Sequence, residues 1–183
     1  MELDYTSPDE VVNFRDFGAL INTDHPGMLP VGRLYRGGTI RYARSLDVFG
    51  RPKTIFNLQR GADRVFAGVT NFHFPTSNNA EVYETSTPDV CNWLQSILEV
   101  IENGIAFPLY IHCLSGKDRT GVVVATLLKV LGVPGQSIVA EYHAGDGAVS
   151  QHLIESALSG IAPVDSTFRR VDLERVRQQL LEP

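Results

Sequence analysis

An α/β architecture, with a central and mostly parallel sheet flanked by helices, is what the pattern of this sequence predicts. Two observations carry that expectation. Three short apolar runs, Thr54-Ile55-Phe56-Asn57-Leu58, Asn71-Phe72-His73-Phe74 and Phe107-Pro108-Leu109-Tyr110-Ile111, have the length of strands and are separated by stretches with helical spacing. The last run passes through a tight loop straight into the apolar stretch 121–128, and strands followed by a helical run suit a largely parallel sheet.

The elements follow in order. Strands are expected over 54–58 and 71–74. Between 74 and 107 lies a helix: Ser86 or Thr87 caps it, Pro88 suits its first turn and Gly104 follows its end. Its residues Val90, Trp93, Leu94, Ile97 and Ile101 recur every three or four positions, so one face packs on a sheet. Cys91, on the same helix, is expected to be buried packing. After the strand 107–111, the loop and its helix, Gly132-Val133-Pro134-Gly135 breaks the chain, and further helices are expected near 136–143, 150–158 and 171–181.

A chain of 183 residues, 43% hydrophobic and 20% charged, suits one domain spanning 1–183 with a sizeable core. The net charge is −5, and the 16 basic residues are scattered among 21 acidic ones, which argues against a nucleic-acid partner. No apolar stretch approaches the ~20 residues of a membrane span, and Met1-Glu2-Leu3-Asp4 lacks the features of a signal peptide. Two cysteines, Cys91 and Cys113, form neither a disulfide framework nor a metal-ligand spacing. The expectation is a soluble, cytoplasmic protein in a reducing compartment, without metal or cofactor.

The chemistry concentrates in residues 112–121, His112-Cys113-Leu114-Ser115-Gly116-Lys117-Asp118-Arg119-Thr120-Gly121. A loop closed this tightly against a helix start turns successive backbone N–H groups into one concavity, where the helix dipole adds positive potential. Such a cradle suits a phosphate. Arg119 can grip two phosphate oxygens through its planar fork, and the same field favours the thiolate of Cys113.

This decad resembles the phosphate-binding loop of the cysteine-dependent protein tyrosine and dual-specificity phosphatases: His-Cys, five residues, Arg, then Ser or Thr. Its ending is most similar to that of bacterial tyrosine phosphatases, some of which accept inositol lipids. Asn13-Phe14-Arg15-Asp16-Phe17-Gly18 resembles the Asn-Phe-Arg-Asp element those enzymes carry near the N-terminus, and Gly32-Arg33-Leu34-Tyr35-Arg36-Gly37-Gly38 resembles their following strand. The resemblance touches the chain from about residue 13 to about residue 158. It implies the protein tyrosine phosphatase-like fold and a phosphomonoesterase acting through a cysteinyl-phosphate.

On that resemblance Cys113 is the nucleophile, and Arg119 with the backbone of Leu114, Ser115, Gly116, Lys117 and Asp118 binds the phosphate oxygens. His112 orients the loop beneath Cys113, and Thr120 donates its hydroxyl to the sulfur as it leaves. The general acid departs from the common pattern. Many relatives place an aspartate on a mobile loop beyond the strand preceding the core helix, where this chain has Asn78. Asp118, within the loop, and Glu81, on the segment after Asn78, are the substitutes, with Asp118 preferred. Arg15, Asp16 and Arg36 either brace the site, with Asp16 orienting a basic residue, or form a salt bridge inside the N-terminal turn.

The implied substrates are phosphotyrosine proteins, with phosphoserine and phosphothreonine as extensions. A phosphoinositide or inositol polyphosphate is the alternative, for which Lys117 supplies a second cation. A phospho-binding pseudophosphatase is the rival from another class.

Overall fold

The computed structural model describes residues 3–77, 80–147 and 150–182. A five-stranded sheet runs in the order β1 (Arg15–Asp16), β2 (Leu34–Gly37), β5 (Leu109–His112), β3 (Thr54–Asn57), β4 (Thr70–His73). All neighbours are parallel except β1, which pairs antiparallel with β2. The mostly parallel sheet is therefore as expected. The three strands read from apolar runs are all present, each within two residues of its predicted ends. The strand 107–111 begins two residues late, at Leu109, because Pro108 has no N–H to give to a ladder.

Register explains how the two cores form. Alternate residues of a strand face opposite sides. Leu34, Phe56, Leu109 and Ile111 enter a large core, while Tyr35, Ile55 and Tyr110 enter a smaller one on the other face. The large core gathers the apolar faces of α1 (Phe17–Asp24), α2 (Pro88–Glu102), α3 (Asp118–Val130), α4 (Gly135–His143), α5 (Gln151–Gly160) and α7 (Leu173–Leu181). The smaller one is closed by Val11, Ile40, Ala43 and Phe66 and by Phe49 of the 3-10 turn Leu46–Phe49. Central strands β3 and β5 are buried along their whole length, whereas β4, at the sheet edge, is mostly exposed and polar.

In α2 the predicted stripe holds: Leu94, Ile97 and Ile101 are buried, and Val90 and Trp93 sit half-buried at its margin. Trp93 Nε1 donates to the Phe74 carbonyl at 3.0 Å and ties the helix to the segment after β4. Thr87 occupies the N-cap, but its hydroxyl bonds back to the Glu84 carbonyl (2.8 Å) instead of capping α2. Cys91 packs against the large core as expected, half-buried, and both cysteines are free thiols.

Three short elements carried no periodic signal, β1, α1 and α6 (Val164–Thr167). Asp16 is the N-cap of α1, accepting from the Ala19 N–H at 2.9 Å and, through its other oxygen, from the Gly32 N–H at 2.6 Å. Among the described residues it orients no basic side chain, which corrects one of the two expectations for this residue. Among the described residues no helix is long and apolar enough to cross a membrane.

Candidate active site at the β5–α3 loop

The loop between β5 and α3 is held open by bonds to its outside. Three of its carbonyls are taken by residues near the N-terminus: Leu114 by the Thr39 N–H (2.9 Å), Ser115 by Asn13 Nδ2 (2.9 Å) and Gly116 by Arg36 Nη2 (2.7 Å). Gly116 has φ +70°, and a Cβ there would collide with the Gly37 carbonyl. Only glycine therefore allows the loop to pack this closely on β2.

With those carbonyls turned to outside donors, no described group accepts from the backbone N–H of Leu114, Ser115, Gly116, Asp118 or Arg119. Beside them Cys113 is 1% exposed. Arg119, also buried, donates from Nη1 to the Leu58 carbonyl at 3.0 Å, while its buried Nε has no partner. A buried donor without a partner costs about 1–3 kcal/mol, a cost that Arg119 Nε bears, and the loop amides between Cys113 and Arg119 add further open donors. The arrangement is equipped to hold an oxyanion against the sulfur.

Thr120, next on α3, is fully buried, and its hydroxyl has no hydrogen-bond partner. The expected bond to the Cys113 sulfur is thus not formed in this structure, because no described atom, sulfur included, lies in bonding geometry. The hydroxyl remains an unspent donor at the helix entrance.

His112 is fully buried at the end of β5, and its Nε2 lies 2.7 Å from Asp63 Oδ2. The Tyr110 ring stacks on the imidazole at 5.4 Å, and Gln59 approaches Nδ1 at 3.4 Å. The segment that delivers Asp63 is turned by Asn57, which accepts from the Gln59 N–H and donates to the Gly61 carbonyl, both at 2.8 Å. Asp63 gave no signal in the sequence.

Beneath the loop the structure joins two arginines to a glutamate that the sequence reading missed. Glu141 of α4 is 2% exposed. It accepts from Arg15 Nε (2.8 Å) on one oxygen and from Arg36 Nη1 (2.6 Å) on the other. Arg15 also donates to the Glu141 carbonyl at 2.9 Å. Burial, then repulsion from Arg36, lowers the Arg15 pKa from the usual guanidinium value, against the pull of Glu141. The expected salt bridge exists, but it spans from the N-terminal segment to α4 instead of closing within the turn. Its function is bracing, since Arg36 uses its second nitrogen on Gly116. Glu141 could have been suspected: it lies on the apolar stripe of α4 between Ile138 and Tyr142, where an unpaired charge would be costly.

Asp118 opens α3, and its Oδ1 accepts from the Tyr83 hydroxyl at 2.7 Å. Tyr83 ends the 3-10 turn Ala80–Tyr83, and its oxygen lies 2.6 Å from the Tyr142 hydroxyl of α4. Glu81, on the same turn, is exposed and lines a surface cleft with Thr76, Ser77 and Glu84, with no described bond to the loop. The structure brings Asp118 to the cradle and leaves Glu81 outside it. Asn78 lies outside the described residues. Lys117 precedes α3 with its ammonium group against Gly147.

The model of the tyrosine phosphatase family matches residues 6–181. The triple specificity protein phosphatase PtpB of Mycobacterium tuberculosis is 35% identical over 78 residues, which are 43% of this chain and 24% of that protein. A tyrosine-protein phosphatase of Nostoc commune is 27% identical over 157 residues, 80% of this chain and 50% of the relative. The chain thus spans between a quarter and half of the length of these curated relatives. TpbA of P. aeruginosa shares the fold at a TM-score of 0.50 and 20% identity, covering 81% of this chain and 86% of its own. A buried cysteine opening a loop of unpaired amides, an arginine at the helix entrance and this near full-length match lead to one statement: the chain belongs to the tyrosine phosphatase family.

Proposed function

We propose that this chain is one catalytic domain that hydrolyses phosphomonoesters, phosphotyrosine foremost, through a cysteinyl-phosphate. The observation that carries the reading is the set of unpaired backbone N–H groups, with the unpaired Arg119 Nε, in the loop that opens on the buried Cys113. In the first step the Cys113 thiolate attacks phosphorus, the ester P–O bond breaks, and Asp118 passes its proton to the leaving oxygen. The loop amides and Arg119 stabilise the three equatorial oxygens. In the second step water attacks phosphorus, Asp118 takes its proton, and the S–P bond breaks with the electron pair returning to sulfur. The unspent Thr120 hydroxyl is a donor that has to turn onto the sulfur to stabilise the departing thiolate, and His112, held by Asp63, orients the strand end from which Cys113 projects.

The triple specificity named for PtpB supports acceptance of more than one class of phosphoester. The cytoplasm, where thiols stay reduced, is the compartment this chemistry favours. The test is phosphate release from a phosphotyrosine peptide by the wild-type protein, Asp118→Asn and Glu81→Gln. Asp118→Asn is expected to lose about 10²–10⁴ in kcat, the usual worth of general acid catalysis, while Glu81→Gln stays near wild type. An inactive wild type would point to a phospho-binding module. Turnover kept by Asp118→Asn and lost by Glu81→Gln would reverse the acid assignment.

A further inference from the structure

We propose that Tyr83, backed by Tyr142, is a positioning residue for Asp118, fixing which carboxylate oxygen delivers the proton to the leaving group. The inference rests on Asp118 being the general acid. Three elements converge on this contact: the 3-10 turn before α2 brings Tyr83, α4 brings Tyr142 and α3 brings Asp118.

The direction of the hydrogen bonds follows from donor capacity. The single Tyr83 proton goes to Asp118 Oδ1 at 2.7 Å, and a carboxyl oxygen that bears no proton can only accept. Tyr142 must then donate to the Tyr83 oxygen across 2.6 Å. Burial first, then the Tyr142 and Asp118 hydrogen bonds, raises the Tyr83 phenol far above its usual value. Burial likewise raises Tyr142. Both hydroxyls therefore keep their protons at any assay pH and remain donors.

The chain of hydroxyls is mechanically fixed. The two rings meet edge to face, with centroids 6.4 Å apart at 88°. The Tyr142 ring lies so close to α3 that a Cβ on Gly121 would stand 2.6 Å from its Cε2. Tyr142 also directly follows Glu141, which holds Arg15 and Arg36 and, through Arg36, the loop.

With Oδ1 occupied, Oδ2 is the oxygen left to carry the transferable proton. A phenol donating to a carboxylate is a charge-assisted bond, strongest once Asp118 has lost its proton. That gain is larger in the transition state than in the resting acid, so it accelerates leaving-group departure in particular.

A brace between the 3-10 turn and α3 would have no such selectivity, and this separates the two roles. Tyr83→Phe, Tyr142→Phe, Asp118→Asn and Asp118→Asn with Tyr83→Phe are compared on para-nitrophenyl phosphate, whose leaving group needs little protonation, and on phenyl phosphate, whose leaving group needs more. Tyr83→Phe is expected to lower kcat on phenyl phosphate by about tenfold more than on para-nitrophenyl phosphate, with an unchanged melting temperature. Tyr142→Phe follows the same order with a smaller effect, and the double variant is no slower than Asp118→Asn alone. Equal losses on both substrates, or losses that add to those of Asp118→Asn, would overturn the proposal. If Asp118→Asn itself shows no leaving-group dependence, the acid assignment falls and the positioning role with it. Activity that still depends on Cys113 would leave the phosphatase reading standing.

Discussion

Arg119→Lys is expected to lower kcat by about 10²–10³ or more, the loss typical of removing an oxyanion donor, while the protein still folds. Charge alone is not what Arg119 supplies. Its guanidinium is anchored at one corner by the Leu58 carbonyl, 3.0 Å from Nη1, and its Nε is buried without a partner at the cradle. One side chain is thus oriented by β3's continuation and still presents a planar edge to two oxygens of a transferring phosphoryl group. Lysine keeps the positive charge but concentrates it at one nitrogen that cannot satisfy both partners. Turnover measured on the purified variant, beside its melting curve, decides the matter. An Arg119→Lys enzyme within about tenfold of wild type would mean that charge suffices and that the fork geometry is not used.

Glu141→Ala is expected to cost about 3–5 kcal/mol of stability, because removing one partner of a buried ion pair strands the other charge. Arg36 is 1% exposed, its Nε already has no partner, and its remaining bond is to the Gly116 carbonyl. Arg15 loses the same carboxylate, and close to Arg36 the two guanidinium groups then repel. At about 2–4 °C per kcal/mol for a chain of this size, the melting temperature falls by roughly 6–20 °C. Glu141→Gln retains an acceptor and should fall less. Activity is expected to decline in folded protein too, since the Arg36 clamp on the loop loses its own support. A Glu141→Ala protein that melts within a few degrees of wild type would show that water replaces the carboxylate without loss.

The sequence carries local information well and distant pairing poorly, and this protein shows where the boundary lies. The loop and its helix are contiguous, so the strand–loop–helix that carries Cys113, Arg119 and Asp118 was legible from ten adjacent residues. The α2 stripe was legible for the same reason, since its period needs nothing outside the helix. Asp63 reaches His112 from 49 positions away, Tyr83 reaches Asp118 from 35, and Glu141 reaches Arg36 from 105. No window contains both members of any of these pairs. β1 escaped because two residues cannot establish an alternation, and α1 because an eight-residue helix containing Gly18 has little intrinsic tendency to form. Asp16 was visible as a functional-looking residue, yet what it does is start a helix. Thr120 was correctly placed beside the loop, but the hydrogen bond expected of it is not present in this structure.

The central claim is that the Cys113 sulfur attacks phosphorus. The measurement that tests it most directly is phosphate release from para-nitrophenyl phosphate by wild type beside Cys113→Ser, in reducing, metal-free buffer from mildly acidic to neutral pH. The account predicts turnover by wild type and none by the serine variant. Equal release by both proteins would contradict it, as would silence in both, which would leave a cradle that binds phosphate without cleaving its ester.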